Sequence, residues 1–173
     1  MKNRKIFLVL AIISLVLVVL TAIMIFYFSS ESGEQSTQTS NGVTTVVIEV
    51  TQPDYQTLPV EKQQERFQLT SAIVRKIAHF SEFFMLGLFS ILALKFFELY
   101  KNRKIKFSYL FALIFSILYA ASDEIHQIIS DNRGPSFIDV LIDSSGSILA
   151  ILAVFIVFLL INKHQTIKHL EQA

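Results

Sequence analysis

Cysteine and tryptophan are both absent from the 173 residues, and glycine (5) and proline (3) are scarce. Without cysteine there is no disulfide scaffold, no thiolate metal site and no cysteine nucleophile. Charge is sparse as well, at 17% of residues, where an ordinary soluble domain carries about 25%. The 15 basic and 14 acidic residues nearly cancel, leaving a formal net charge of +1. That balance lacks the basic footprint of a nucleic-acid binder, so no nucleic-acid partner is expected. Hydrophobic residues make up 53% of the chain, 16 of them Phe, which excludes an intrinsically disordered polymer. The length suits one domain. With a mean hydropathy of +0.55, what remains is a small polytopic membrane protein.

The apolar residues fall into four runs. The first, 6–28, is interrupted only by Ser14 and Thr21. At about 1.5 Å per residue it spans a hydrocarbon core of about 30 Å. Lys2, Arg4 and Lys5 precede it as in a signal peptide, but a cleavable apolar region is shorter and ends at small residues. This run leaves through Ile25, Phe26, Tyr27 and Phe28, and is read as an uncleaved anchor. Runs 77–97, 107–129 and 140–161 follow, each carrying polar residues at one end. The expected fold is an all-α membrane protein, a four-transmembrane-helix bundle with an outer loop between helices 1 and 2.

Lysine and arginine in short flanks set the orientation. Lys2, Arg4 and Lys5, then Lys95, Lys101, Arg103, Lys104 and Lys106, then Lys163 and Lys168 place ten on one side. Lys62, Arg66, Arg75, Lys76 and Arg133 place five on the other. Both termini are therefore expected in the cytoplasm. The segments read as a cytoplasmic N-terminus (1–5), an extracytoplasmic loop (29–76) with a helix leading into the second span, a cytoplasmic loop (98–106), a short outer loop (130–139) and a cytoplasmic tail (162–173). Within the long loop, 29–42 is rich in Ser, Thr and Gln and reads as flexible. Val43 to Val50 suits either a short strand or an interfacial helix. Pro59 suits the first turn of a helix, and from there to Phe97 only Gly87 interrupts helical composition. Lys95 and Glu98 are expected to snorkel to the interface, and Ser81 and Ser90 to bond back to their own helix.

The polar residues inside the spans are not scattered. At about 100° per residue, Arg75, His79 and Glu82 share an arc of about 60° on the second span. Asp123 and Gln127 lie together on the third, with His126 and Glu124 flanking them. Asp139, Asp143 and Gly146 line one stripe of the fourth. All three stripes fall toward the outer ends of their helices. Facing lipid would cost several kcal/mol for each charge, so the stripes are expected to converge on a polar pocket that opens outward.

The string Arg75-Lys76-x-x-His79-Phe80-x-Glu82-Phe83-x-x-Leu86-Gly87 resembles the first block of the VanZ-like family. Asp123-Glu124-x-His126-Gln127, followed by Arg133-x-x-Ser136-x-x-Asp139-Val140-x-x-Asp143-x-x-Gly146, is similar to its second. Phe28-Ser29-Ser30, with Gln35 and Ser36, resembles the polar exit of its first helix. The resemblance covers about 26–152. The family often carries Asn where this chain has Asp143, so the present site is more acidic. The resemblance implies a small protein of the bacterial plasma membrane. It also implies a link to the cell envelope, since the founding member is associated with low-level resistance to teicoplanin-type glycopeptide antibiotics.

Two chemistries use the same residues. In the binding reading, Arg75, Lys76, Gln127, Arg133, Ser136, Asp139 and Asp143 hold an anionic lipid or peptidoglycan-precursor headgroup, with arginine offering bidentate contacts. In the enzyme reading, His79, Glu82, Asp123, Glu124 and His126 are the catalytic candidates. His79-x-x-Glu82 and Asp123-x-x-His126 are acid–imidazole pairs at i, i+3, suited to a general base or to a divalent metal with N/O ligands. The sequence leaves cofactor and metal identity open.

Overall fold

The computed structural model describes residues 2–131 and 136–171. Helices α1 (Lys2–Ser29), α2 (Gly33–Thr51), α3 (Val60–Lys101), α4 (Ser108–Asp131) and α5 (Phe137–Glu171) follow in order, with a short 3₁₀ turn at Tyr55–Thr57. The described residues contain no strand. Four of the helices, α1, α3, α4 and α5, are long and apolar enough to cross a membrane. The protein is thus an all-α, multi-pass membrane bundle.

Helix α3 is the axis of the molecule and touches all four others. Its 42 residues measure about 63 Å at 1.5 Å per residue, twice what a hydrocarbon core needs. The first half therefore extends beyond the span, and α2 packs along it. Pro59 stands at the N-cap of α3, and Asn102 closes its far end in the left-handed conformation with φ 52°.

The Ser/Thr/Gln-rich segment, expected to be flexible, is helical instead. Ser32 caps α2 by accepting from Gln35 N, and the Gln35 side chain accepts from Ser32 N at 3.0 Å. This reciprocal capping box satisfies two amides that the helix start would leave open. Tertiary contacts complete the case. Ile48 and Thr44 are buried, Ser40 Oγ meets Ser71 Oγ at 3.4 Å, and Gln52 Nε2 donates to Thr70 Oγ1 at 3.2 Å. The partner surface on α3, invisible to composition, decides between coil and helix, and it resolves Val43–Val50 as helix.

Two apolar clusters fill the bundle. One joins Val18 and Ile25 of α1 with Phe83 and Leu86 of α3 and Ala120 of α4. The other joins Ile91, Ala112, Ile151 and Val154. Between them α3 and α5 cross at backbone contact. A methyl added to Gly87 would lie 2.7 Å from Ser147 Cα, and one added to Gly146 would collide with the Phe80 carbonyl oxygen. Ser147 Oγ donates to the Phe83 carbonyl at 2.7 Å across the same crossing. Small residues with one hydroxyl bridge are how membrane helices gain packing when lipid supplies no hydrophobic drive. Outward faces are apolar, as at Ile12, Val16, Ile23, Phe111, Leu118, Leu152 and Leu160.

The end of the bundle that carries the α3–α4 connection departs from expectation at Lys95. This residue does not snorkel; it is 8% exposed. Its ammonium pairs with Glu98 Oε2 at 3.2 Å, donates to Ser108 Oγ at 2.9 Å, and sits 3.9 Å from the Tyr109 ring centroid. A lysine with three such partners loses little by leaving the interface. Arg4 Nε donates to the Tyr100 carbonyl, tying the N-terminus to this end. Ser81 bonds back to Ile77 O at 2.7 Å as expected; Ser90 Oγ is buried without a hydrogen bond.

Candidate functional site: a polar cavity among four helices

At the opposite end, α1 finishes at Ser29, α4 approaches its last turns, α5 begins, and α3 passes through. Antiparallel packing therefore brings the polar stripes to one level. Arg75, Lys76 and His79 of α3, Gln127 of α4, and Asp139 and Asp143 of α5 line one cavity of about 200 Å³, joined by Ser36 of α2 and by Ala72 and Ile142.

At the mouth, Lys76 Nζ meets Asp139 Oδ1 at 3.0 Å, with both side chains partly exposed. Deeper in, Asp123 and Asp143 are 4% and 3% exposed. Asp123 Oδ2 accepts from Ser29 Oγ at 2.8 Å and from Gln127 Nε2 at 2.9 Å. Asp143 receives no hydrogen bond from the described residues. One nitrogen of His79 and one oxygen each of Asp123 and Asp143 lie within 4.8 Å of one another. One turn along α3, Glu82 Oε2 is buried, accepts no hydrogen bond and stands 3.7 Å from His79 Nδ1. Helix α3 thus contributes two groups, and α4 and α5 one each, to a shared buried centre, where unpaired charge would cost several kcal/mol.

The VanZ/LLP1 family model matches residues 12–160. The chain belongs to the VanZ/LLP1 family. No curated protein and no solved structure matches it.

In this VanZ/LLP1 protein the second sequence pair, Asp123 with His126, is divided. Asp123 accepts from Ser29 of α1 and also joins His79 and Asp143, whereas His126 contacts α1, where its Nε2 meets Ser30 Oγ at 2.9 Å and its ring stacks on Phe26 at 4.3 Å. Two other candidates hold the start of α5. Glu124, 7% exposed, accepts from Ser136 N at 2.9 Å, and Ser136 Oγ accepts from Asp139 N at 3.2 Å. Ser136 is therefore an N-cap, satisfying an amide that opens the helix. Arg133 lies outside the described residues.

Ser36 lines the cavity and Ser29 donates to Asp123 at 2.8 Å, although neither was picked as a site residue. Both stand just past the first apolar run, and both lie in the polar exit quoted for the family resemblance. Hydropathy gives the end of a span but not its neighbours in the bundle, so the contact of Ser29 with Asp123 was not legible.

Proposed function

We propose that this protein lies in the bacterial plasma membrane with both termini in the cytoplasm, and that its polar cavity opens outward to bind the anionic headgroup of an envelope or lipid-linked ligand. The observation that carries this reading is the pairing of Arg75 and Lys76 on one wall of a cavity set at the end of the membrane spans. A volume of about 200 Å³ falls below the roughly 300–1,000 Å³ of pockets that enclose whole drug-sized ligands. It suits a headgroup whose apolar remainder stays in lipid. Arg75 supplies a planar donor pair for a phosphate or carboxylate. The Lys76–Asp139 pair is exposed enough to be worth about 0–1 kcal/mol, so exchanging Asp139 for a ligand oxygen costs little. Occupation of a peptidoglycan-precursor headgroup would alter what a glycopeptide antibiotic meets at the surface, in line with a contribution to teicoplanin resistance. A second reading, a membrane-embedded hydrolase or transferase, draws on the convergence of His79, Asp123 and Asp143, an imidazole with carboxylates able to move a proton.

The test uses the absence of native cysteine. In intact cells, a membrane-impermeant thiol reagent is expected to label Ser36→Cys, and inorganic phosphate in the medium is expected to slow that labelling several-fold. Lys104→Cys is expected to stay unlabelled until the cells are opened. Labelling of Lys104→Cys with Ser36→Cys protected would reverse the topology, and a labelling rate indifferent to phosphate would remove the anion.

A further inference from the structure

We propose that His79, Asp123 and Asp143 form a site for one divalent transition-metal cation of the Zn²⁺ or Mn²⁺ type, on the buried side of the cavity. The three come from three different helices, and their ligand atoms lie within 4.8 Å of one another. Bonds of about 2.0–2.2 Å to nitrogen and oxygen put two ligands of one ion at most about 4.4 Å apart. Small side-chain rotations therefore close the set. A second observation points to a ligand independently of that spacing. Asp143 is 3% exposed, yet no described residue donates to its carboxylate. Buried carboxylates are ordinarily paired, hydrogen-bonded or bound to metal, and a cation beside Asp143 supplies what the protein does not.

The surrounding groups fit the same assignment. Both donors to Asp123 act on Oδ2, which leaves Oδ1 for the ion. Glu82 stands 3.7 Å from His79 Nδ1, the place from which a carboxylate orients a ligating imidazole. Two oxygens and one imidazole nitrogen, with no sulfur, suit Zn²⁺ or Mn²⁺ better than the all-oxygen preference of Mg²⁺ or Ca²⁺. Three protein ligands leave at least one coordination position for water or for an oxygen of a bound anion. The assignment goes beyond the anion reading and does not depend on it, because neither Arg75 nor Lys76 is a ligand.

The full chain, purified in detergent and stripped with a chelator, is dialysed against Zn²⁺ or Mn²⁺ alone and its metal content measured. One ion per chain is expected. The Asp123→Asn/Asp143→Asn double variant is expected to bind at least about 100-fold more weakly, since losing even an outer partner costs 10–100-fold. Asp54→Asn, at an exposed acid paired with Arg66, is expected to match the native chain. Pulsed electron paramagnetic resonance of the Mn²⁺-loaded native chain is expected to show one directly bound imidazole nitrogen, a readout that needs no variant to fold. Metal content near zero at saturating ion, equal affinity in the double variant, or no nitrogen coupling would each overturn the site. Full metal content in a chain that ignores phosphate would support the metal site while removing the anion reading.

Discussion

Gly146→Leu is expected to abolish the folded bundle. Even the first atom of a side chain at this position collides with the Phe80 carbonyl oxygen and would come 3.1 Å from Phe84 N. These are backbone atoms, so no rotamer change relieves the clash, and α3 and α5 must separate. Separation also breaks the 2.7 Å bond from Ser147 Oγ to Phe83 O and exposes Phe83 and Leu86, which are wholly buried. Overpacking of this kind costs about 3 kcal/mol or more, a large share of a native stability of roughly 5–15 kcal/mol. Most of the variant should elute as aggregate on size-exclusion chromatography in detergent. Gly146→Ala should be less severe but clearly destabilised. Gly42→Ala is the control, because nothing lies within 4 Å of the added atom. In α2 it should be neutral or stabilising by up to about 1 kcal/mol, from helix propensity alone. Monodisperse, fully folded Gly146→Leu would contradict the backbone contact.

Arg75→Lys is expected to weaken binding of a phosphate-headed lipid about tenfold, equivalent to about 1.4 kcal/mol, while the protein stays folded and inserted. Lysine keeps the charge but loses the planar fork that grips two oxygens at once. Arg75→Ala should lose more, in the range of about 1.5–3 kcal/mol for a hydrogen bond to a charged group. The measurement is a titration of the purified variants with dioctanoyl phosphatidic acid in an uncharged detergent. Folding is monitored by the thermal midpoint, which should stay near the native value, since Arg75 stands at the cavity wall and not in either apolar cluster. Native affinity in Arg75→Lys would show that the guanidinium geometry is irrelevant and that any cation suffices.

The bundle was legible in the sequence because lipid imposes a simple demand: uninterrupted apolar length. The runs 6–28, 77–97 and 140–161 lie within α1, α3 and α5, and 107–129 matches α4 except for Phe107, which precedes its first residue. The polar stripes were legible too, since an angle of about 100° per residue places Arg75, His79 and Glu82 together without knowledge of a neighbour. What hydropathy could not supply was partner choice. Asp123 and His126 are three residues apart on one helix, yet Asp123 joins His79 of α3 and Asp143 of α5 as well as Ser29 of α1, while His126 stacks on Phe26 of α1. Periodicity resolves such a pair only to about 60°. Composition likewise suggested coil for 29–42, because it counts side chains and not the partner surface, such as Ser71 of α3, which Ser40 meets at 3.4 Å. Lys95 was misread for the same reason: of its partners only Glu98 is on its own helix, while Ser108 and Tyr109 come from α4. The ligand set His79, Asp123 and Asp143 spans 64 positions of sequence and follows no short spacing, so only packing reveals it.

The most direct test of the central claim, that the converging polar residues bind an anionic headgroup, is a calorimetric titration of the native full chain. Dioctanoyl phosphatidic acid is compared with dioctanoylglycerol, which has the same tails and no charge. The expected result is saturable binding of about one phosphatidic acid per chain, preferred at least about tenfold over the neutral lipid, with the histidine imidazole resonances of His79 shifting as the site fills. Equal, unsaturated uptake of both lipids, with His79 unmoved, would contradict it.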